Sequence, residues 1–247
     1  MNFTRIDELR QKLTSLRPLN KTELKRLRDE FTIDFTYNSN AIEGNTLTLR
    51  ETALILQEGV TIAEKPLREH LEAVGHRDAF GYVLELAEKK TELTERAIRE
   101  IHSLVLMNDA ENRGVYRAID VTIMGALHPP PQPYLVPVQM ETLIADYPIM
   151  KQDRHIIEAI AEFHLRFEGI HPFIDGNGRT GRLVLNLELI KAGLLPVNIK
   201  YSDRRRYYEC FDHYYGNAKT SNSLSELIVE YQVEELERHI RIIGGNT

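Results

Sequence analysis

The fold and the site of this chain both follow from residues 171–182, which read His171-Pro172-Phe173-Ile174-Asp175-Gly176-Asn177-Gly178-Arg179-Thr180-Gly181-Arg182. Gly176 and Gly178 allow backbone conformations that other residues avoid, so successive amide N–H groups can turn towards one anion. The apolar residues that follow recur with helical spacing. This places the loop at the N-terminus of a helix, where the helix dipole also favours negative charge. The stretch therefore predicts a phosphate-binding loop that opens a helix.

The charged side chains of the same stretch suit chemistry on a phosphate. Arg179 and Arg182 lie three residues apart and share a helix face. Their forked guanidinium groups match phosphate oxygens. Asp175 suits one magnesium ion, which takes one or two protein carboxylates and fills its other positions with phosphate oxygens and water. His171 is the group that can accept a proton near neutral pH. The alternative interpretation is a glycine loop with a structural asparagine, a buried histidine and surface arginines.

The stretch resembles the signature of the Fic/Doc family (filamentation induced by cAMP), His-Pro-Phe-x-Asp/Glu-Gly-Asn-Gly-Arg-x-x-Arg, at every fixed position. Members of that family mostly transfer AMP from ATP to a hydroxyl side chain of a target protein. The related Doc kinases replace the second glycine by lysine and lose the final arginine, whereas this chain keeps both. The resemblance implies a general base at His171, a magnesium ligand at Asp175, an anion hole at Gly176, Asn177 and Gly178, and phosphate clamps at Arg179 and Arg182.

A second motif lies where the second predicted helix ends. Glu43 falls in the last turn of this helix, where the partial negative charge of the helix C-terminus disfavours a carboxylate, and such a broken rule often marks a functional site. Ser39 lies four residues earlier on the same face. Residues 39–44 resemble the Fic inhibitory motif, Ser/Thr-x-x-x-Glu-Gly/Asn, which implies that Glu43 restrains the enzyme. We predict that Glu43 pairs with Arg182; the alternative is a surface glutamate at a frayed helix end.

Helical periodicity over most of the chain predicts an all-α fold. The resemblance implies a Fic-type helical domain at residues 61–247, preceded by N-terminal helices at residues 1–60 that carry the inhibitory motif. The exception to the helical pattern is the segment 115–138, where a β-branched run and then several prolines favour extended chain. A β-hairpin is the expected structure, and the resemblance implies a flap that aligns the target protein by main-chain hydrogen bonds. The alternative is a proline-rich surface loop.

An aromatic cluster in the C-terminal part of the sequence is expected to contact the base of the nucleotide. In the Fic family an aromatic residue at this place borders the adenine, and the resemblance assigns that position to Tyr207. The alternative interpretation is that Tyr207 and the neighbouring Tyr208 are ordinary residues of the hydrophobic core. Asn217 is the candidate for the asparagine that family members often supply to the adenosine.

The composition limits the other classes of function. The 247 residues are 42% apolar and 28% charged, with a net charge of −6, which gives no reason to expect nucleic-acid binding. No signal peptide and no membrane-spanning run is visible, so the sequence predicts a cytoplasmic protein without a membrane partner. The single cysteine, Cys210, excludes an internal disulfide and a thiolate metal cluster.

The leading hypothesis is a magnesium-dependent protein adenylyltransferase that modifies a Ser, Thr or Tyr hydroxyl of a target protein or of itself and is restrained by Glu43. One alternative is the removal of AMP from a modified protein, with Glu43 orienting water. Another is a nucleotide-sensing module without catalysis. The sequence leaves open the target, the nucleotide and whether the chain forms a homodimer.

Overall fold

A computed structural model describes residues 3–123 and 127–244, and the predicted all-α architecture is confirmed there. Two short 3-10 turns, Pro133–Leu135 and Tyr201–Asp203, and one π-helical turn, Tyr214–Ala218, accompany the longer helices. The described α-helices are α1 (Phe3–Ser15), α2 (Lys21–Ile42), α3 (Leu49–Glu58), α4 (Leu67–Glu88), α5 (Glu95–Val105), α6 (Val136–Asp153), α7 (Ile156–Ile170), α8 (Asn177–Lys191), α9 (Arg204–His213) and α10 (Asn222–Gly244).

Local signals set several of these boundaries. Helix α3 begins with a capping box: the Thr48 hydroxyl accepts from the Glu51 amide, and the Glu51 carboxylate accepts from the Thr48 amide. The helix ends at Gly59, which takes the left-handed conformation with φ of 67°. Helix α2 begins with a similar capping box, formed by Asn20 and Glu23. Both partners of each capping box lie within one turn of sequence, so these two helix starts depend on local residues alone.

Helices α7 and α8 form the centre of the structure. Helix α8 packs against α2, α4, α5 and α7, and most of its residues are buried. The buried face of α7 carries apolar residues, among them Ile157, Ile160, Phe163 and Phe167. Helix α1 lies against α10. None of the described helices combines the length and the apolar character that a bilayer crossing requires.

The hydrophobic core continues across the predicted domain boundary near residue 60. Ile6, Phe35 and Ile42 from the N-terminal helices belong to the same buried cluster as Leu183 and Leu187 of α8. This packing fixes the C-terminal end of α2 against the N-terminal end of α8. The division into residues 1–60 and 61–247 stays a prediction.

The segment expected to form a β-hairpin, 115–138, contains no strand in its described residues, and residues 124–126 lie outside the description. The interpretation is corrected to an irregular segment that leads into Pro133–Leu135 and α6. The prolines at 129–131 supply a physical reason, because they have no N–H group to donate to a partner strand.

Hydrogen bonds from Arg117, and not strand pairing, hold the segment in its conformation. The buried guanidinium donates to the carbonyl of Ile119 (3.0 Å) and to the carbonyl of Pro131 (2.5 Å), one on either side of the irregular stretch. Its Nε atom donates to the carbonyl of His171 at 2.8 Å. The segment is thereby attached directly to the loop between α7 and α8.

Candidate active site

The loop between α7 and α8 is shaped by two left-handed residues and one amide side chain. His171 ends α7 with φ of 50°, and Gly176 precedes α8 with φ of 76°. The Asn177 side chain accepts from the Phe173 amide and donates to the Phe173 carbonyl, both at 2.9 Å. Asn177 therefore closes the loop with its side chain, and only its backbone N–H group is left to face an anion.

His171 lies at the mouth of a cavity, with its ring half buried. Burial lowers the pKa of the imidazole below its ordinary value, so the ring is neutral at neutral pH. The Nδ1 atom is buried and has no hydrogen-bond partner among the described residues. A neutral imidazole can accept a proton, and a non-glycine residue held in the left-handed region is typical of functional sites.

Asp175 lies four residues after this histidine, outside the lining of the cavity, with an exposed carboxylate. Its Oδ1 atom accepts from the Gly176 amide at 2.6 Å and from Arg179 Nη2 at 3.2 Å. In the described part of the chain no three His, Cys, Asp or Glu side chains converge on a metal position. An exposed carboxylate of this kind suits magnesium, which takes one or two protein carboxylates and completes its shell with phosphate oxygens and water.

His102, which the sequence motifs do not include, supports Asp175 from α5. Its Nδ1 atom accepts from the Gly114 amide at 2.8 Å, so Nε2 carries the proton and donates to the Asp175 carbonyl at 2.9 Å. Burial lowers the pKa of His102 to about 4, and the ring stacks on Phe173 with centroids 3.6 Å apart. No local sequence signal identifies this histidine, because its partners are backbone groups.

Arg182 makes the contact that the sequence predicted. Its Nη2 atom lies 2.7 Å from Glu43 Oε1 and also donates to the Ser39 carbonyl at 2.8 Å, while Nε donates to the Ser39 hydroxyl at 3.0 Å. Arg182 is 2% exposed, whereas the Glu43 side chain is 34% exposed. The two motifs therefore meet in one partly buried, charge-assisted cluster, in which the arginine is enclosed and the carboxylate is partly exposed.

Gly178 is the residue that lets Glu43 approach. A Cβ atom at this position would overlap the Glu43 carboxylate, with Oε1 as its nearest neighbour. Glu43 is the C-cap residue of α2, and its carboxylate lies over the first turn of α8, where the N-terminal amides and the helix dipole favour an anion. A carboxylate thus occupies the position that the sequence assigns to phosphate.

Arg179, the second predicted clamp, faces away from the cavity. Its guanidinium is buried and lies 3.5 Å from Asn40 Oδ1 and 3.6 Å from Glu72 Oε1, in addition to its contact with Asp175. It is not among the residues that line the cavity. Its position suits holding the Asp175 carboxylate rather than binding a nucleotide directly.

The cavity itself has a volume of about 260 Å³. Its lining combines polar groups of the two motifs, several aromatic side chains and part of the segment after Arg117. The lining includes Glu43, Glu168, His171, Gly178, Arg182, Tyr207, Tyr208, Phe211, Tyr215, Ile123, Leu127 and His128.

Tyr207, the predicted neighbour of adenine, belongs to the cavity wall but is 1% exposed. Its hydroxyl is 2.7 Å from His164 Nε2, and its ring lies 5.8 Å from Arg182 Cζ. Tyr208 is 39% exposed and presents more of its ring. The side chain of Asn217 lies outside the described residues.

Comparisons with known proteins agree on one group of relatives. Residues 92–189 match the model of the Fic/DOC family. A protein adenylyltransferase Fic from Nematostella vectensis is 39% identical over 209 residues, which are 83% of this chain and 48% of that protein. Its counterpart from Aedes aegypti is 36% identical over 211 residues, covering 84% of this chain and 42% of that protein. The chain thus spans less than half the length of these curated relatives.

Two solved structures have the same fold over nearly the whole chain. A Fic domain containing signaling protein from Bacteroides thetaiotaomicron superimposes with a TM-score of 0.88 at 29% identity, covering 98% of this chain and 97% of that one. A fragment of Fic-1 from C. elegans gives a TM-score of 0.85 at 28% identity, covering 99% of this chain and 72% of the fragment.

Proposed function

The chain carries a Fic/DOC family domain, and from this premise we propose that it transfers AMP from ATP to a hydroxyl side chain of a protein, itself included, under the restraint of Glu43. One observation carries the proposal: a single cavity contains a neutral, half-buried histidine, the N-terminal turn of α8, a buried arginine and an aromatic wall. These are the groups that a nucleotide and an incoming hydroxyl require. A target protein is the partner, and magnesium is the cofactor.

The reaction begins when His171 takes the proton of the target hydroxyl. The hydroxyl oxygen then forms a bond to the α-phosphorus of ATP, and the bond from that phosphorus to the bridging oxygen of the β-phosphate breaks, so pyrophosphate leaves. The first amides of α8 and the Arg182 guanidinium meet the phosphate charge. In phosphoryl transfer such positioning and charge stabilisation supply most of the catalysis.

Asp175 would hold magnesium, which neutralises charge on the phosphates when it is bound. The chain prepares this carboxylate on two sides. Arg179 contacts its Oδ1 atom, and His102 binds its backbone carbonyl. Arg179 is therefore a positioning residue that acts through Asp175.

Glu43 restrains the reaction because it occupies Arg182. One donor of that arginine is bound to the Glu43 carboxylate and two to Ser39, and the carboxylate lies over the anion-binding turn. A triphosphate that enters while Glu43 stays in place lacks this arginine, so its α-phosphorus is misaligned for attack. Withdrawal of Glu43 releases both the guanidinium and the helix N-terminus.

The test is transfer of label from α-labelled ATP to protein, in lysate and with the purified chain. We expect strong labelling by Glu43→Gly, weak labelling by the parent and none by the Glu43→Gly, His171→Ala double variant. Tight ATP binding without label transfer by any variant would contradict the proposal and favour a nucleotide-sensing module.

Removal of AMP from a modified protein is the second candidate. The observation that favours it is that the Glu43 carboxylate shares the cavity with His171 and keeps about a third of its surface exposed, which suits orienting a water. Release of AMP from a modified protein by the parent, lost in Glu43→Gly, would identify this reaction.

A cytoplasmic location is part of the proposal, and the free, buried Cys210 is compatible with a reducing compartment.

A further inference from the structure

Glu168 is a buried carboxyl group in the cavity, and neither motif includes it. It lies in the last turn of α7, three residues before His171, and is 9% exposed. Its Oε1 atom is buried and has no hydrogen-bond partner within the described ranges. Buried polar atoms without a partner are rare in folded proteins, so each one calls for a physical explanation.

Two glycines one turn apart on α8 make room for two carboxyl groups. A Cβ atom on Gly178 would overlap Glu43 Oε1, and a Cβ atom on Gly181 would overlap Glu168 Oε1. Residues three apart share a helix face, so both carboxyl groups lie along one groove of α8. One carboxyl group comes from α2 and the other from α7.

Arg182 is the cation that acts on both carboxyl groups. It is ion-paired with Glu43, and it also interacts electrostatically with Glu168. Its Nη1 atom lies 3.0 Å from the Cβ position of Gly178, is buried, and has no hydrogen-bond partner within the described ranges. The arginine therefore retains a donor that neither carboxyl group uses, in the groove that also holds the unpartnered carboxyl of Glu168.

We propose that Glu168 is a second counter-ion of Arg182, which replaces Glu43 when Glu43 withdraws and so keeps the arginine positioned for the nucleotide. Glu168 is then a positioning residue that acts through Arg182. The inference rests on the proposed function in one respect, that a triphosphate is the ligand that takes the place of Glu43. An arginine left buried without any anion would be strongly unfavourable, which is the situation that Glu168 prevents.

Whether Glu168 is charged depends on whether Glu43 is paired with Arg182. Burial raises the pKa of Glu168 to about 8, Arg182 acts to lower it, and Glu43 acts to raise it. While Glu43 is in place, the carboxyl is therefore largely protonated at neutral pH. Withdrawal of Glu43 removes a raising influence, so the pKa falls, the proton passes to solvent, and the carboxylate faces Arg182.

A bound triphosphate reverses this step. Its negative charge raises the pKa of Glu168 again, and the carboxyl takes one proton back from solvent. The other titratable groups around Glu168 stay neutral near pH 7: burial lowers the pKa of His164 to about 3 and that of His171 below its ordinary value, and it raises the pKa of Tyr207 and of Tyr215. Glu168 is thus the group that exchanges the proton.

The experiment measures proton uptake when ATP binds. ATP is titrated calorimetrically into the parent, Glu43→Gly and the Glu43→Gly, Glu168→Gln double variant between pH 6 and 9, each in two buffers of different ionisation enthalpy. We expect Glu43→Gly to take up as much as one proton more than the parent, and the double variant to lose this excess. Uptake by ATP itself is common to all three and cancels in the difference.

The kinetic counterpart is a separation of KM from kcat. In Glu43→Gly the KM for ATP should rise with pH by up to about tenfold per unit between the pKa that Glu168 has without ATP and the higher pKa that it has with ATP bound, because one proton is taken up with the ligand in that window. In the double variant this slope disappears, while kcat at saturating ATP changes little. Glu209→Gln in the Glu43→Gly background is the matched control, because Glu209 is a half-exposed carboxylate on α9 that pairs with Arg205 and does not line the cavity, and it should keep the slope.

Equal proton uptake by Glu43→Gly and the double variant would overturn the inference. If Glu168→Gln does not fold, the comparison of the parent with Glu43→Gly decides alone, and equal uptake by these two contradicts it. The experiments distinguish failure of this inference from failure of the proposed function. If proton uptake depends on Glu168 but no label is transferred, only the adenylyltransferase proposal is contradicted. If label is transferred but proton uptake does not depend on Glu168, only the role of Glu168 is contradicted.

Discussion

Arg179 and Arg182 lie one turn apart on α8 and belong to the same motif, yet they face two different regions of the molecule. Arg179 points towards α2 and α4, away from the cavity, and supports Asp175. Arg182 points into the cavity and is held by Glu43 and Ser39. The difference teaches that a motif fixes which side chains are present, whereas the neighbouring helices decide which of them meets the ligand.

The largest effect is expected on the cavity side, from His171→Ala in the Glu43→Gly background. Loss of the general base should reduce the rate of AMP transfer by about a hundredfold to ten-thousandfold. ATP affinity should be nearly unchanged, because the imidazole meets the hydroxyl and not the triphosphate. Rates come from single-turnover labelling and affinities from calorimetry. Undiminished labelling would remove His171 from the reaction.

The two arginines should then differ in how they respond to magnesium. Arg182→Ala should weaken ATP binding at every magnesium concentration, because the phosphate ligand itself is lost. Arg179→Ala should lower activity by about tenfold, equivalent to roughly 1.4 kcal/mol, and excess magnesium should restore most of it, since Asp175 is still present but less well positioned. Asp175→Ala is the control in which magnesium recovers little. Equal magnesium responses for the two arginine variants would erase the distinction between the regions.

Loss of the Glu43 carboxylate should raise activity, by a factor smaller than the loss expected from His171→Ala. Glu43→Gly should increase labelling at least about tenfold, equivalent to roughly 1.4 kcal/mol of barrier, because Arg182 becomes free. The Glu43→Gly, Arg182→Ala double variant should not be activated, because the restraint and the phosphate ligand are lost together. Labelling is compared at equal ATP for the parent, both single variants and the double variant. A double variant as active as Glu43→Gly alone would show that the pairing is not the restraint.

The smallest expected effect is that of pH on kcat near neutrality. Burial lowers the pKa of His171 below the ordinary value of about 6.5, so the base is already unprotonated at pH 7. The rate at saturating ATP should change by less than about twofold between pH 7 and 8, and it should fall only when the pH drops through the lowered pKa and the imidazole gains a proton. The profile of Glu43→Gly from pH 5 to 8 measures this. A midpoint at or above pH 6.5 would contradict it.

The sequence predicted the pairing of Glu43 with Arg182, although 139 residues separate the two. Each side chain had a charge that its own helix left uncompensated, and each belonged to a motif of the same family. The caps of α3 were predictable for a similar reason, since both partners of a capping box lie within one turn. Local rules were enough for the cap, whereas the pairing also needed the resemblance of both motifs to one family.

The remaining features depend on tertiary contacts that no short stretch reveals. The direction of Arg179 depends on acceptors from α2 and α4, Asn40 and Glu72. Arg117 and His102 donate to backbone carbonyls, which every residue possesses. Their partners therefore cannot be identified from the types of residue in the sequence. The β-hairpin was expected because β-branched residues precede the prolines, but a buried guanidinium binds the carbonyls of the described part of the segment.

The position of Glu43 at the C-cap of α2 also determines how the restraint can be lifted without any ligand. Three backbone hydrogen bonds close this end of the helix, from the amides of Glu43, Gly44 and Asn45 to the carbonyls of Asn40 and Ala41. Opening only that turn would move the carboxylate off Arg182 while the rest of α2 stays packed. Such end openings are low-energy local unfolding events, which amide hydrogen exchange detects directly. The exchange rates of these three amides therefore report how often the resting protein visits its released form.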